Sequence, residues 1–247
     1  MKKTLLLLFI FNCPLSFVHN VSAQRVITTE RIEVTNRLDQ HPDPEALAIM
    51  KRYKPAVDSI MSPVLGESLV GMSGGRPESL LSNWAADVLV EYSDFEDGRR
   101  ADMGLVNVGG LRNNMPHGTV RRGDIILISP FDNRLAIVHL KGSDLLNLFR
   151  DIAAVHGEGV SREVRLVITK DGKLIEANVG GQPVDPERTY RIATLDYLAE
   201  GNDRLYSLKQ AQRLDVSNLF TRDCMMRYVK EHSPITSKLE GRIVVQY

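Results

Sequence analysis

The sequence predicts an α+β fold, a mixed sheet with packed helices, and three observations carry that expectation. Segments that read as strands (103–106, 135–140, 190–194) lie between stretches with the three- and four-residue apolar spacing of helices, without the regular strand–helix alternation of a parallel sheet. Asp171-Gly172 stands between two apolar runs, 164–168 and 174–177, and is a strong signal for an antiparallel hairpin. No internal repeat is visible and no Gly/Ser- or Pro-rich linker interrupts residues 65–247, so these read as one domain.

Taken in order, residues 1–23 have a basic start (Lys2, Lys3), an apolar run from Leu5 to Phe11 and a small-residue cleavage site at Val21-Ser22-Ala23. That is the pattern of a secretory signal peptide, so the chain is expected to be exported to the periplasm or the cell exterior. Cys13 follows Asn12 rather than a small residue, which argues against lipid attachment there. Residues 24–37 alternate loosely (Val26, Ile27, Ile32, Val34), as an edge strand would. From Asp43-Pro44 the spacing of Ala46, Met50, Tyr53, Val57 and Ile60 predicts a helix, with Pro55 as a kink or a break. Residues 24–64 are thus an N-terminal segment and a joining helix that precede the 65–247 domain.

Within that domain a strand over 65–72 ends in Ser73-Gly74-Gly75, Arg76 follows, and Pro77-Glu78 opens a helix whose apolar face is Leu81, Trp84, Ala85, Val88 and Tyr92. After the 103–106 strand, a short extended run at 118–120 and a turn at Arg122-Gly123-Asp124 lead to a predicted strand over 125–129. The 135–140 strand is followed by a helix from Gly142-Ser143, with Leu145, Leu148, Phe149 and Ile152 on one face. The hairpin and the 190–194 strand come next. A helix over 217–231, with Phe220, Cys224 and Tyr228 in line, and a terminal strand over 243–247 complete the chain.

Charge and cysteine usage narrow the function. The 31 basic residues balance 31 acidic ones, and since Lys2 and Lys3 fall in the leader, the exported chain is slightly acidic. Nucleic acid is therefore not an expected partner. No apolar run after the leader is long enough to span a membrane. Cys224 is the one cysteine beyond the leader, which excludes an internal disulfide and a cysteine-rich metal site.

The polar motifs cluster where strands end, the usual place for a ligand. Asn107-Val108-Gly109-Gly110-Leu111-Arg112 follows the 103–106 strand. Glycines let backbone N–H groups approach an anion, and the Arg112 fork suits phosphate or carboxylate. An ordinary turn with a solvated arginine fits the same residues. Pro130-Phe131-Asp132-Asn133 offers a stacking face and an amide, and Asp196-Tyr197-Leu198-Ala199-Glu200-Gly201-Asn202-Asp203 pairs a second aromatic with a carboxylate six residues on. Arg76 sits just before a predicted helix N-terminus, which favours anions.

In this order, Arg76, the 107–112 motif, the 130–133 motif and the 196–203 motif resemble the C-terminal, substrate-binding domain of the secreted 5'-nucleotidase and UDP-sugar hydrolase family, over about residues 43–247. The resemblance implies that Arg76 and Arg112 contact the substrate phosphate with Asn107, Gly109 and Gly110 beside them. It implies further that Phe131 and Tyr197 sandwich the base, that Asn133 binds near it, and that Asp203 holds the ribose. Two departures stand out. The family's Gly-Gly-Asp-Gly run is Gly201-Asn202-Asp203-Arg204 here, which alters the backbone angles open to the loop, and Tyr197 replaces a more usual Phe.

In that family hydrolysis is the work of an N-terminal metallophosphatase domain with two metals held by motifs such as Asp-x-His and Gly-Asn-His-Asp/Glu. Beyond the leader, His41, His117, His139, His156 and His232 stand singly and in no such motif. No nucleophile elbow or carboxylate dyad replaces it. The expectation is therefore the nucleotide-recognising half of a split exported 5'-nucleotidase, with no catalytic residue, metal or cofactor of its own and divalent metals carried by a separate metallophosphatase chain. The alternatives are a stand-alone nucleotide- or nucleoside-binding protein and a domain kept for protein contacts alone.

Overall fold

In the computed structural model, which describes residues 28–246, helices and strands follow one another irregularly. In chain order these are α1 (Pro44–Met61), β1 (Val64–Ser68), α2 (Leu80–Glu91), β2 (Met103–Val106), β3 (Gly118–Arg121), α3 (Arg122–Ile128), β4 (Arg134–Lys141), α4 (Gly142–Ala154) and β5 (Gly159–Val160). They continue as β6 (Val164–Thr169), β7 (Leu174–Val179), β8 (Gln182–Pro183), β9 (Thr189–Leu195), α5 (Asp196–Ala199), β10 (Arg213–Phe220), α6 (Thr221–His232) and β11 (Ile243–Gln246). The leader expected over 1–23 lies outside the described residues. Among the described residues no helix is long and apolar enough to cross a membrane.

The chain divides into two units after Ala48. In the first, the edge strand expected over 24–37 is not formed where the chain is described: residues 28–35 have no regular structure and Asn36–Gln40 is a 3-10 turn. Ile32 and Val34 are exposed there, so their alternation has no sheet to join. Helix α1 begins where the Asp43 carboxylate accepts the Ala46 N–H at 2.8 Å, and it runs through Pro55 as one helix. Its apolar stripe is uncovered, with Met50, Tyr53, Val57 and Ile60 at least half exposed (58, 54, 52 and 50%).

The second unit is built on a five-stranded mixed sheet of order β10-β4-β9-β2-β5. Strand β2 is parallel to β9, while β4 is antiparallel to both β9 and β10, and β5 is antiparallel to β2. A four-stranded sheet, β11-β6-β7-β8, contains the expected hairpin, and β1 pairs with β3. The α+β expectation holds. Helix α2 lies on β2 so closely that a β-carbon at Gly104 would come within 2.3 Å of the Ala86 carbonyl oxygen. Leu81, Trp84, Ala85 and Val88 are buried beside Met103 and Leu105, and α4 buries Leu145, Leu148, Phe149 and Ile152.

Four elements differ from the sequence reading, the first being the strand expected over 65–72, which ends at Ser68 and leaves Met72 in an isolated bridge to Met115. Residues 125–129, expected as a strand, belong mostly to α3, whose first turn is tied when the Arg121 N–H donates to Asp124 at 2.7 Å. Ile125 and Ile128 are buried and Leu127 is exposed, a three-residue period that a run of five residues cannot distinguish from a strand. Helix α2 starts later than Pro77-Glu78, because Ser79 caps it by accepting the Ser82 N–H. Residues 217–220, assigned to the last helix, end β10 instead, since Phe220 pairs with Arg134 before α6 begins.

The strand directions place the polar motifs together. The C-terminal ends of β2 and β9 point the same way because the two are parallel. The start of β4 and the end of β10 meet at that edge because β4 runs against β9 and β10 runs against β4. The start of β5 joins them through the Val106–Gly159 pair.

Candidate functional site

At this edge of the sheet lies an open cavity of about 380 Å3 lined by Asn107, Gly109, Gly110, Arg112, Phe131, Asn133, Tyr197 and Asp203. Its size falls in the range of small-molecule sites. These are the sequence-selected residues other than Arg76, although Asn107 and Asp203 stand 96 residues apart in the chain.

Each segment is fixed by its own contacts. After β2, residues 108–110 form a 3-10 turn in which the Gly110 N–H returns to the Asn107 carbonyl at 3.1 Å. The Arg112 N–H donates to the Ile128 carbonyl at 2.8 Å, and its guanidinium donates to the Gly109 carbonyl at 3.2 Å while staying exposed. The 130–133 segment is held by α6: the Thr221 N–H donates to the Asn133 carbonyl at 2.9 Å and Arg222 pairs with Asp132. Among the described residues the Asn133 side-chain amide has no hydrogen-bond partner, so it is free to serve a ligand. Phe131 and Tyr197 are 47% and 41% exposed, an unusual state for two aromatic rings lining one opening, and neither stacks on another ring.

Asp203 is the most constrained of the set. One carboxylate oxygen accepts the Tyr197 hydroxyl at 3.0 Å, and the other accepts the Asn107 side-chain amide. Asp203 and Arg204 both lie in the left-handed region (φ 54° and 66°), a conformation that side chains rarely adopt. The loop thus keeps a glycine-like backbone at Arg204 without the glycine. The bond to Asp203 also pushes the Tyr197 phenol pKa up.

Arg76 is placed differently from the sequence reading. It is not among the lining residues. Its Nε donates to the Gly157 carbonyl at 2.7 Å and its Nη2 pairs with Glu158, whose side chain is 1% exposed. The other Glu158 oxygen accepts the Val108 N–H. Glu158, which the sequence reading missed, therefore anchors the 108–110 turn from behind and uses Arg76 as its counter-ion. Burial holds its carboxyl above the usual range, although the Val108 N–H and Arg76 both favour the charged form. Gly157-Glu158-Gly159 carries no spacing that would have marked it.

The two glycines differ in their tolerance. A β-carbon on Gly110 would lie 2.6 Å from the Asn107 side-chain oxygen, whereas one on Gly109 meets nothing within 4 Å. Gly110→Ala is expected to destabilise the domain by about 1–3 kcal/mol by displacing Asn107. Gly109→Ala is expected to stay within about 0.5 kcal/mol, as for other open surface positions. Urea denaturation of the two variants checks the contrast.

Among the described residues the grouping with metal-ligand chemistry is Glu96, His139 and Asp215, whose ligand atoms lie within 4.8 Å of one another. Arg213 pairs with both carboxylates and His139 sits 2.9 Å from Asp215. This trio lies outside the cavity lining, and with a guanidinium among its carboxylates it does not fit a two-metal hydrolytic centre.

The sequence matches the family model for the 5'-nucleotidase C-terminal domain over residues 64–210. It is 28% identical over 211 residues to Endonuclease YhcR of Bacillus subtilis, covering 82% of this chain and 17% of that protein. It is 29% identical over 227 residues to the apyrase of Tabanus yao, covering 81% and 41% of the two chains. The crystal structure of a 5'-nucleotidase precursor from Thermus thermophilus superposes with a TM-score of 0.72 at 27% identity, covering 81% of this chain and 42% of that one. The chain thus spans less than half the length of these relatives. Because the matched stretch takes in more than half of its residues and the α+β architecture with it, this chain belongs to the 5'-nucleotidase C-terminal domain family.

Proposed function

We propose that this chain is the nucleotide-recognising half of a split, exported 5'-nucleotidase, with phosphate-ester hydrolysis supplied by a separate metallophosphatase chain that carries the divalent metals. The observation that carries the reading is the cavity at the sheet edge, where an exposed guanidinium, two exposed rings, two amides and a carboxylate line one opening. These groups match the parts of a nucleotide. Arg112, with Asn107, Gly109 and Gly110 beside it, takes the phosphate; Phe131 and Tyr197 take the two faces of the base, with Asn133 near its edge; Asp203 takes the ribose hydroxyls. The uncovered stripe of Met50, Tyr53, Val57 and Ile60 on α1 supports a partner, since contiguous exposed apolar surface marks contact sites.

Calorimetry with AMP and adenosine tests the assignment. Phe131→Ala is expected to weaken both ligands by about 1–3 kcal/mol through loss of stacking. Arg112→Ala is expected to weaken AMP and leave adenosine nearly unchanged, because its charge addresses phosphate. Mixing the chain with the metallophosphatase chain should then give metal-dependent turnover of AMP. Binding without restored turnover would favour the stand-alone nucleotide-binding protein, and no binding of either ligand would overturn the nucleotide reading.

A further inference from the structure

We infer that the Tyr197 hydroxyl is a positioning group for Asp203 that makes the cavity selective for a cis-diol, and hence for ribonucleosides over their deoxy counterparts. The inference rests on the nucleotide reading above and assigns the hydroxyl a task separate from stacking. An ionised carboxylate offers about four lone-pair sites, two on each oxygen. In Asp203 one site on the first oxygen is taken by the Tyr197 hydroxyl and one on the second by the Asn107 amide. One acceptor remains on each oxygen, the number that two vicinal hydroxyls require.

The unit is closed on itself. The Tyr197 carbonyl accepts the Asn202 side-chain amide at 2.7 Å, so the aromatic residue and the loop carrying Asp203 are tied at both the backbone and the ring tip. Asp203 and Arg204 hold a left-handed backbone that is costly for non-glycine residues and persists only where surrounding contacts fix it. Phenylalanine at position 197 would present the same stacking face. It would leave Asp203 held by Asn107 alone, free to turn one oxygen away from the ligand.

Tyr197→Phe is the deciding variant, since it keeps the ring and removes one exposed hydroxyl. Binding of adenosine and of 2',3'-dideoxyadenosine is measured by calorimetry on wild type and variant. Adenosine affinity is expected to fall about tenfold, as for loss of a hydrogen bond to a charged group, while the dideoxy ligand, which has no diol to read, binds the two proteins alike. Equal losses on both ligands would assign Tyr197 to stacking or general order, and an unchanged adenosine affinity would remove the hydroxyl from recognition; either overturns the inference and leaves the nucleotide reading standing. Wild type that binds neither adenosine nor AMP overturns both.

Discussion

Replacing Arg76 by alanine is expected to cost about 2–3 kcal/mol of unfolding free energy, at and just below the lower bound of about 3 kcal/mol for removing one partner of a fully buried ion pair. The low end applies because the Arg76 side chain is 38% exposed and its charge is partly screened, whereas Glu158 is only 1% exposed. With Arg76 gone, the Glu158 carboxylate keeps one anchor, the Val108 N–H, and must carry a buried charge without a counter-ion or take up a proton. The pH dependence follows in sign. The Glu158 pKa is already raised in the folded chain by burial, so its contribution to stability is fully present below its unfolded pKa and is lost as pH rises through the folded one. Removing Arg76 raises that pKa further, so the deficit of the variant grows from mildly acid to neutral pH. Urea denaturation at the two conditions measures it, with Arg112→Ala as the control expected to weaken AMP binding and lose little stability. A stable Arg76→Ala protein that has lost AMP binding would return Arg76 to the phosphate.

The contrast between these two arginines shows what the sequence could and could not reveal. Arg112 follows a Gly-Gly turn at a strand end, and its place in the cavity lining is readable from neighbours within six residues. Arg76 looks equally suited to an anion, but its partner is 82 residues away in a stretch without a pattern, and only the Val106–Gly159 pairing brings Glu158 behind the turn. The same distinction runs through the fold. β4 carries a continuous buried apolar run from Leu135 to Val138, β9 is rich in buried β-branched and aromatic residues, and the β6–β7 hairpin carries its turn, so local sequence suffices for them. β10 pairs on one side only and buries little beyond Ser217, so nothing in its own residues separates it from the helix that follows. The run 125–129 is decided by Asp124 tying back to Arg121, a contact that becomes informative only once the helix is known. The cavity itself was legible because its residues stand at strand ends, and the parallel β2–β9 pair does the rest.

Arg242→Ala should produce the largest loss of stability, about 3–5 kcal/mol, a large share of the roughly 5–15 kcal/mol total of a typical domain. The side chain is 3% exposed and is surrounded by acceptors. Its guanidinium donates to both oxygens of Asp87 at 2.9 Å, to Glu240 at 2.7 Å, and to the carbonyls of Asn83 at 3.2 Å and Val160 at 2.8 Å. It therefore ties α2, β5 and the start of β11 at one point. Alanine would leave two buried carbonyls without this donor and Asp87 with only the more exposed Arg162 as counter-ion. Most of the loss is the cost of those orphaned groups rather than the worth of the contacts. The double variant Arg242→Met, Asp87→Leu removes the uncompensated Asp87 charge but leaves the two carbonyls without a donor and Arg162 without its partner, so it is expected to recover only part of the loss. The effect should reach the cavity, because Val160 lies two residues beyond Glu158, and a loosened β5 releases the anchor of the 108–110 turn. Thermal melts with and without AMP would follow both consequences. A loss below about 1 kcal/mol, the usual worth of a single surface pair, would mean that water replaces the guanidinium and that these strands hold together without it.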